Sequence, residues 1–204
     1  MTRVVLASSN AGKLRELQEL LAGCGLEVRP QSVFGIVSPD EDGRTFVENS
    51  LLKARHAARA SGLPAIADDS GLEVDALGGR PGIHSARFAG TGCVAADNNA
   101  RLLAELAGVP LGSRSARFRC AMVFLRDAED PAPLVCEAAW EGTIAFEPRG
   151  EGGFGYDPLF VVAGDTRTAA EMPASEKNRI SHRAKALEAL VAAIRAEVPG
   201  TLGK

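Results

Sequence analysis

The stretch RVVLASSNAGK, residues 3–13, decides the fold of this chain. Residues 3–7 are short and apolar, as the buried strands of a parallel sheet are. The polar loop 8–13 follows, and leucines then recur at helical spacing on one side of the next segment. A second short strand is predicted at residues 26–29. The order strand, loop, helix, strand is typical of an α/β fold.

The rest of the chain continues this alternation of helices and strands. Thr45 and Glu48 have the spacing of a capping box, which predicts that a helix begins there. The later predicted elements are a short strand with the pair Asp68 and Asp69 at its end, a strand at 72–77, a helix at 94–107, an antiparallel hairpin of residues 115–126 and 134–146, a strand at 159–162 and a last helix from Ser181. We therefore expect a mixed sheet with helices, in two lobes around a cleft, within a single domain that spans residues 1–204.

Two adjacent carboxylates, Asp68 and Asp69, stand in the run ADDSG after the apolar residues LPAI. Ionised carboxylates are almost never buried without a partner. Because neighbouring side chains of a strand point to opposite faces, the two carboxylates are predicted to have different roles. A carboxylate at the end of a strand suits the binding of Mg²⁺ or the activation of water. A solvated turn, which favours Asp, Ser and Gly, explains the run equally well.

Composition and charge argue against several classes of protein. The chain carries 23 Lys and Arg against 26 Asp and Glu, and a net charge of -3 argues against broad binding of nucleic acids, which usually requires a basic excess. No apolar run has the length that a signal peptide or a membrane span needs. The four cysteines form no Cys-x-x-Cys pair, which argues against a zinc ribbon or a redox motif. We expect reduced thiols in a cytoplasmic protein.

The loop between the first strand and the first helix has the chemistry of a phosphate site. The backbone N–H groups at a helix N-terminus and the helix dipole favour an anion, and Lys13 adds a full positive charge. The loop lacks the Gly-x-x-x-x-Gly-Lys-Ser/Thr pattern of a Walker loop. The alternative is a capped turn with a solvated lysine.

The chain offers several acidic candidates for a metal site, namely Asp40, Glu41, Asp42, Glu48, Asp68, Asp69 and Asp75. Mg²⁺ beside phosphates usually takes only one or two protein carboxylates, so most of these residues are expected at the surface or at helix caps. Glu48 already has a structural role in the capping box. Asp69 is the first choice as ligand or base because of its predicted place at the end of a strand.

The run GGFGYDP, residues 152–158, places three glycines around two aromatic residues. Such a loop can bring its backbone close to a ligand. An aromatic side chain here can stack on a nucleobase, and Tyr156 is the only tyrosine of the chain. The alternative is a tight turn whose aromatic side chains, Phe154 among them, anchor it in the core.

The run EKNRISHR, residues 176–183, brings Lys177, His182 and Arg183 to the predicted start of the last helix. The helix dipole disfavours cations at an N-terminus. Their placement is easier to explain if an anion or a polar ligand occupies the site. An exposed, charged turn is the alternative.

Taken together, these segments resemble the inosine/xanthosine triphosphate pyrophosphatases, the Ham1-like or RdgB-like family of enzymes for non-canonical purine nucleotides. The matching stretches are LASSNAGK at 6–13, TFVENSLLKA at 45–54, ADDSGL at 67–72, GRPGIHSAR at 79–87, GGFGYDP at 152–158 and EKNRISHR at 176–183. They follow the order of the family over nearly the whole chain. Ser50 and His84 depart from the family pattern, which usually has Ala and Tyr at these positions.

The resemblance implies an elongated mixed β-sheet with flanking helices and two lobes around a central nucleotide-binding cleft. It also implies a homodimer. The implied reaction is hydrolysis of ITP, dITP or XTP between the α and β phosphates, with Mg²⁺ required. The products would be a nucleoside monophosphate and pyrophosphate, so the enzyme would cleanse the nucleotide pool.

The resemblance also implies roles for individual residues. Asp69 would be the proton acceptor and a metal ligand, with Asp40 or Glu41 as a second ligand. Ser70 would contact the substrate, and Lys53 would add a charge to the triphosphate site. The rest of that site would be Ser8, Ser9, Asn10, Ala11, Gly12 and Lys13. The base and sugar pocket would be Phe154, Gly155, Tyr156, Asp157, Lys177, His182 and Arg183.

Two other functions fit parts of the sequence. The Leu-Ala-Ser start suggests a Maf-like nucleotide pyrophosphatase, but the Ser-Pro-Arg-Arg continuation of that group is missing. A non-catalytic nucleotide-binding module would keep the glycine-rich loops and the cations and would tolerate the loss of Asp69. A serine hydrolase is disfavoured because the chain has no Gly-x-Ser-x-Gly elbow.

Overall fold

The structure is a computed structural model that describes residues 2–21 and 25–197. Its strands are β1 (Thr2–Ala7), β2 (Leu26–Pro30), β3 (Ala65–Val74), β4 (Ser115–Leu125), β5 (Leu134–Ile144) and β6 (Phe160–Val162). Its α-helices are α1 (Ala11–Leu21), α2 (Phe46–Ser61), α3 (Ala95–Glu105), α4 (Ala174–Ile180) and α5 (His182–Glu197). The strands form one six-stranded sheet in the order β2-β1-β3-β4-β5-β6.

The sheet is mixed, as the sequence predicts. β1 pairs in parallel with both β2 and β3, whereas β5 and β6 pair antiparallel. The two long β runs predicted as a hairpin are β4 and β5, which are neighbours in the sheet. The prediction of a mixed sheet with flanking helices is therefore confirmed, and the cleft stays a prediction.

The chain divides into two compact units. Unit 1 contains the residues up to Asp69, Cys120–Ala138 and the residues from Arg183 onward. Unit 2 contains Ser70–Arg119 and Ala139–His182. This division does not test the prediction of a single domain for residues 1–204, which stays a prediction.

Unit 1 has helices on both faces of its strands. On one face, Leu6 of β1 and Ile66 of β3 pack with Leu17 of α1 and Leu187 of α5. On the other face, the residues that alternate with them, such as Ala67, pack with the alanines of α2. This alternation follows from the two-residue period of a strand, and it gives each face its own helix partners.

Unit 2 has a core that is rich in aromatic side chains. Phe118 of β4, Trp140 of β5 and Phe160 of β6 lie in one cluster with Leu72 of β3 and Leu102 of α3. The ring centroids of Phe118 and Phe160 are 4.6 Å apart, in a tilted arrangement. Such pairs stabilise the core beyond the area that they bury.

The strand that carries Asp68 and Asp69 does not end at these residues. β3 continues to Val74, so the prediction that the two carboxylates stand at the end of their own strand is wrong. The parallel pairing of β1 with β3 stops at the pair Ala7 and Ala67, where β1 ends. The carboxylates therefore follow the carboxyl end of the neighbouring strand, β1.

The run at 176–183 forms parts of two helices instead of the start of one. Lys177 lies in the short helix α4, and α5 begins at His182 after the extended residue Ser181. The predicted start of the last helix is right within one residue. The prediction that Lys177 lies at that start is wrong.

None of the helices in the described part of the chain has the length and apolar character of a membrane span. Cys93, Cys120 and Cys136 are free thiols. Cys24 lies outside the described residues.

Candidate functional site

The loop from Ser8 to Lys13 connects β1 to α1 within unit 1. Asn10 caps the helix, since its Oδ1 accepts a hydrogen bond from the Lys13 N–H at 3.1 Å. Ser8 is buried, and its Oγ accepts a hydrogen bond from the Asn10 N–H at 3.3 Å. Ser9 and Ala11 are exposed, so the first turn of the helix is open to solvent. The loop thus presents the backbone N–H groups that an anion needs.

Asp68 and Asp69 point to opposite faces of the strands in unit 1. Asp68 continues the row of Ile66 and contacts residues of α1 and α5. Asp69 continues the row of Ala67 and contacts residues of α2. The prediction that the two side chains face opposite sides is confirmed. Both carboxylates are buried, so the interpretation as a solvated turn is wrong.

Asp68 is the centre of a buried ion network. The Lys13 Nζ lies 3.2 Å and the Arg183 Nε lies 3.4 Å from its Oδ2. The guanidinium of Arg183, itself buried, also bonds to Glu16, which lies on the same helix as Lys13. Burial raises the pKa of Asp68, but the neighbouring cations, Lys13 foremost, outweigh burial and hold this pKa well below its usual range. Burial lowers the pKa of Arg183, but Asp68 and Glu16 outweigh it, so both partners are charged.

Cys120 of β4 lies in the same unit, and the charges of this network affect the pKa of its thiol. Burial raises the pKa of its thiol to about 12, and the negative charge of Asp68 acts in the same direction. The thiol therefore stays protonated at neutral pH.

Asp69 takes its partners from α2. The Asn49 side chain donates a hydrogen bond from Nδ2 to Asp69 Oδ2 at 3.1 Å, and the Lys53 Nζ lies 3.2 Å from Asp69 Oδ1. The Lys13 Nζ lies 3.9 Å from the same oxygen. One amide and two ammonium groups therefore hold this carboxylate. The sequence analysis missed Asn49, although it precedes Lys53 by four residues and so shares its helix face.

The start of α2 is fixed to the acidic loop that precedes it. Thr45 Oγ1 accepts a hydrogen bond from the Glu48 N–H at 3.1 Å, as the capping box predicts. The return bond differs from the usual box, because the Glu48 side chain accepts from the Arg44 N–H at 2.6 Å. Asn49 Oδ1 accepts from the Gly43 N–H at 2.9 Å. These bonds tie residues just after Glu41 to the helix that carries Lys53.

Lys53 connects Asp69 to the acidic loop. Its Nζ lies 3.0 Å from Glu41 Oε1 and 3.2 Å from Asp69 Oδ1. Burial lowers the pKa of Lys53, but the neighbouring carboxylates, Asp69 foremost, outweigh burial and raise this pKa, so the side chain is an ammonium ion. Of the two candidate ligands in the loop, Glu41 shares Lys53 with Asp69, whereas Asp40 is exposed.

Glu41 and Asp69 have the donor chemistry that a divalent cation requires. Two carboxylates already converge on one cationic group, and Mg²⁺ beside phosphates needs only one or two such ligands. Within residues 2–21 and 25–197, no group of three or more His, Cys, Asp or Glu side chains comes together for a metal. The residues thus fit a metal that takes its other ligands from phosphate oxygens and water.

In unit 2, the glycine-rich loop encloses a buried ion pair. Asp157 Oδ2 accepts from the Lys177 Nζ at 2.6 Å and from the Phe154 N–H at 2.8 Å. The Lys177 Nζ also lies 5.0 Å from the centroid of the Phe154 ring. A Cβ on Gly153 would lie 2.1 Å from Asp157 Oδ2, so any other residue at this position would displace that carboxylate. The loop thus fixes one carboxylate and one ammonium beside a half-exposed aromatic ring.

Tyr156 anchors this loop in the core of unit 2. Its ring is buried, and its hydroxyl donates a hydrogen bond to the Ser85 carbonyl at 2.8 Å. Burial raises the pKa of the phenol, which stays protonated. The Gly155 carbonyl accepts from the Asn99 Nδ2 at 3.0 Å. Of the two interpretations of Tyr156, the structure supports the anchor and not the stacking surface.

His182 and Arg183 are adjacent in sequence but have different partners. His182 is buried in unit 2, where its ring stacks on Phe118 with the centroids 4.9 Å apart. Arg183 belongs to the Asp68 network of unit 1. The resemblance implies the base and sugar pocket for both residues, and the Arg183 network could not be anticipated from local sequence.

Of the two departures from the family pattern, only Ser50 has a structural explanation. Ser50 is buried, and its hydroxyl donates to the Ala121 carbonyl at 2.8 Å, which ties α2 to β4. His84 is exposed, and nothing in the structure explains its replacement of Tyr.

The predicted site residues fall into two groups, one in each unit. The group of unit 1 comprises Ser8, Ser9, Asn10, Ala11, Gly12, Lys13, Asp40, Glu41, Lys53, Asp69 and Arg183. The group of unit 2 comprises Ser70, Phe154, Gly155, Tyr156, Asp157, Lys177 and His182.

Comparison with known proteins gives one consistent family. The profile of the Ham1 family matches residues 4–193. A dITP/XTP pyrophosphatase of Methylococcus capsulatus is 59% identical over 198 residues, which are 97% of this chain and 98% of that protein. A dITP/XTP pyrophosphatase of Escherichia coli O157:H7 is 55% identical over 195 residues, which are 96% of this chain and 99% of that protein. The solved structure of a HAM1 protein from Coxiella burnetii matches with a TM-score of 0.88 and 48% identity, over 96% of this chain and 100% of that one.

Proposed function

The chain belongs to the Ham1 family, and on this premise we propose that it hydrolyses the non-canonical purine nucleotides dITP, ITP and XTP. The products are the nucleoside monophosphate and pyrophosphate. One observation of the structure supports this best: Lys13 and Lys53, from two different helices, converge on Asp69 just beyond the end of β1. Two ammonium groups and one carboxylate are the groups that phosphoanhydride hydrolysis requires.

The group of unit 1 supplies the reaction chemistry in this proposal. The backbone N–H groups of the loop from Ser8 to Lys13 bind phosphate oxygens, and the two lysines neutralise their charge. Asp69 orients the attacking water and accepts its proton. Asn49 keeps Asp69 in place through its hydrogen bond to Oδ2.

Mg²⁺ is the cofactor that we propose, with Glu41 and Asp69 as its protein ligands. When bound, the ion neutralises charge on the phosphates and orients them. Glu41 is a better candidate than Asp40, because Glu41 shares Lys53 with Asp69 whereas Asp40 is exposed.

The group of unit 2 supplies base recognition in this proposal. Lys177 carries N–H donors beside the half-exposed ring of Phe154, and Asp157 fixes the ammonium. Inosine and xanthosine carry a 6-oxo acceptor where adenine carries an amino donor. A donor that pairs with this oxygen is left unpaired against adenine, and such a loss discriminates strongly.

We further propose that the protein is a cytoplasmic homodimer that acts on free nucleotides. This proposal rests on the resemblance to the family.

The test is a product assay with Mg²⁺, in which dITP, ITP, XTP, GTP and ATP are offered separately and pyrophosphate is scored against orthophosphate. The wild-type protein should release pyrophosphate from dITP, ITP and XTP and little from ATP or GTP. Asp69→Asn should lower kcat by about a thousandfold, because the proton acceptor is lost. Asp75→Asn is the control, since it removes an exposed carboxylate of unit 2 that pairs with Arg117. Release of orthophosphate, or normal turnover by Asp69→Asn, would contradict the proposal.

A further inference from the structure

Lys53 occupies the point at which the two proposed metal ligands meet. Its Nζ is within hydrogen-bond distance of one oxygen of Glu41 and one oxygen of Asp69, at 3.0 and 3.2 Å. The side chains of Lys53 and Asp69 are only 6% and 7% exposed, whereas that of Glu41 is 30% exposed. A single ammonium group therefore bridges the two carboxylates and offsets part of their combined negative charge.

An ammonium group and a divalent cation compete for such a position. Both bind the same carboxylate oxygens, and two positive charges a few ångströms apart repel each other strongly where water is scarce. Asp69 cannot simply turn away from Lys53, because Asn49 holds its other oxygen at 3.1 Å. Lysine, in contrast, has a flexible four-carbon stem that lets its head group move.

We propose that Lys53 is the resident cation of the metal site: it holds Glu41 and Asp69 together in the nucleotide-free protein and leaves them for the phosphates when a triphosphate binds. This inference rests on the function proposed above and adds a binding order to it. The free protein binds divalent metal weakly, and the metal site becomes available only together with the triphosphate. Lys53 is thus a positioning residue as well as a phosphate ligand.

The inference makes an unusual prediction for a substitution at the site, namely that removal of a positive charge improves metal binding. Lys53→Met should tighten the binding of Mn²⁺ to the nucleotide-free protein by about tenfold. The gain is limited because Lys13 remains 3.9 Å from Asp69 Oδ1 and still competes for it. Activity should fall in the same variant, since the triphosphate loses one of its ligands.

The experiment is a calorimetric titration of MnCl₂ into the nucleotide-free, full-length protein. Lys177→Met is the matched control, because Lys177 is an equally buried lysine that pairs with a carboxylate, Asp157, in unit 2. Wild type and Lys177→Met should bind Mn²⁺ weakly and equally, and Lys53→Met should bind it about tenfold more tightly. A second neutral variant, Lys53→Gln, keeps hydrogen-bond donors for both carboxylates and covers the case in which the methionine variant does not fold.

A second titration measures how inorganic tripolyphosphate and Mn²⁺ affect each other. Tripolyphosphate should improve Mn²⁺ binding to wild type by a larger factor than to Lys53→Gln, because only the wild-type lysine must first leave the carboxylates. Unchanged Mn²⁺ affinity in the neutral variants overturns the inference. The pyrophosphate assay on wild type decides the proposed function separately, so the two failures can be told apart.

Discussion

Asp68 shows how one buried residue can organise a site without touching the reaction. Its Oδ2 lies near both Lys13 and Arg183, and the bond from Arg183 to Glu16 leads back to the helix that carries Lys13. The network therefore links two residues of α1, Lys13 and Glu16, through Asp68 and Arg183. Lys13 owes its position to this network as much as to its own helix.

Replacement of this carboxylate by its amide tests that role. In Asp68→Asn, the carbonyl oxygen can face the two cations, and the NH₂ can take the place of Oδ1, which has no hydrogen-bond partner among the described residues. The fold should survive, but the position of Lys13 should be less well defined. We expect kcat/KM for dITP to fall about tenfold or more, chiefly through a higher KM. Steady-state kinetics over a range of dITP concentrations checks this.

Asp130→Asn is the control for the loss of a buried, ion-paired carboxylate in the same unit. Asp130 is 2% exposed and pairs with Arg126 at 2.8 Å in the connection between β4 and β5. Both variants should lose stability, since each leaves a cation with less counter-charge. Only Asp68→Asn should lose affinity for substrate. If both variants show the same rise in KM, or neither does, the positioning role of Asp68 is refuted.

For these residues, the sequence predicts local geometry but not contacts between distant parts of the chain. The two-residue period of a strand correctly placed Asp68 and Asp69 on opposite faces. The pairing of Asp68 with Arg183 could not be predicted, because Arg183 is 115 residues away along the chain. The roles of Asp69, Lys53 and the loop from Ser8 to Lys13 stay predictions until they are tested by substitution.

Among the elements, β3 and α4 mark where local signals fail. Asp, Ser and Gly are poor strand formers, so the run ADDSG predicts that a strand ends there. Tertiary contacts decide otherwise, because the cations of α1, α2 and α5 stabilise the carboxylates within the strand. α4 was not predicted as a separate helix. It is short, it lies between Pro173 and Ser181, and the charged residues on both sides of Ser181 look like one continuous segment.

In the glycine-rich loop, a substitution at Gly153 tests both the positive φ of this residue and its close contact with Asp157. Gly153→Ala should move the Asp157 carboxylate, because the new Cβ would lie 2.1 Å from its Oδ2. The bond to Lys177 should weaken as a result. We expect KM for XTP and dITP to rise about tenfold, with a smaller change in kcat. Kinetics with both substrates measures the effect.

Gly155→Ala separates this contact from backbone strain. Gly153 and Gly155 have φ of +70° and +63°, so alanine is strained at both positions. A Cβ on Gly155 meets no atom within 4 Å. Gly155→Ala should therefore lower stability, and its rise in KM should be clearly smaller than that of Gly153→Ala. A rise in KM of equal size in both variants would assign the effect to strain and not to Asp157.

At the scale of the whole molecule, the chain has two compact units and three strands that contribute to both. β3, β4 and β5 each have residues in unit 1 and in unit 2. The division could not be predicted, because its boundaries fall inside three strands and at the start of α5 and not in Gly- or Pro-rich linkers. The mixed sheet was predictable, since each of its strands has its own apolar pattern.

Because these strands are shared, we expect the two units to unfold together. Trp140, the only tryptophan, lies in the core of unit 2, so its fluorescence follows that unit. Circular dichroism at 222 nm follows the helices, and most residues of α1, α2 and α5 belong to unit 1. In a urea titration, the two signals should have one common midpoint. Two separate midpoints would show that each unit is stable by itself.

The protonated thiol of Cys120 has a consequence for chemical damage to the protein. Oxidants and alkylating agents attack the thiolate of cysteine, and burial keeps this sulfur both inaccessible and protonated, with a pKa raised to about 12. Cys93 and Cys136 are only partly covered. Among the cysteines that the structure describes, oxidative modification should therefore fall on Cys93 and Cys136 first and leave Cys120 of β4 intact.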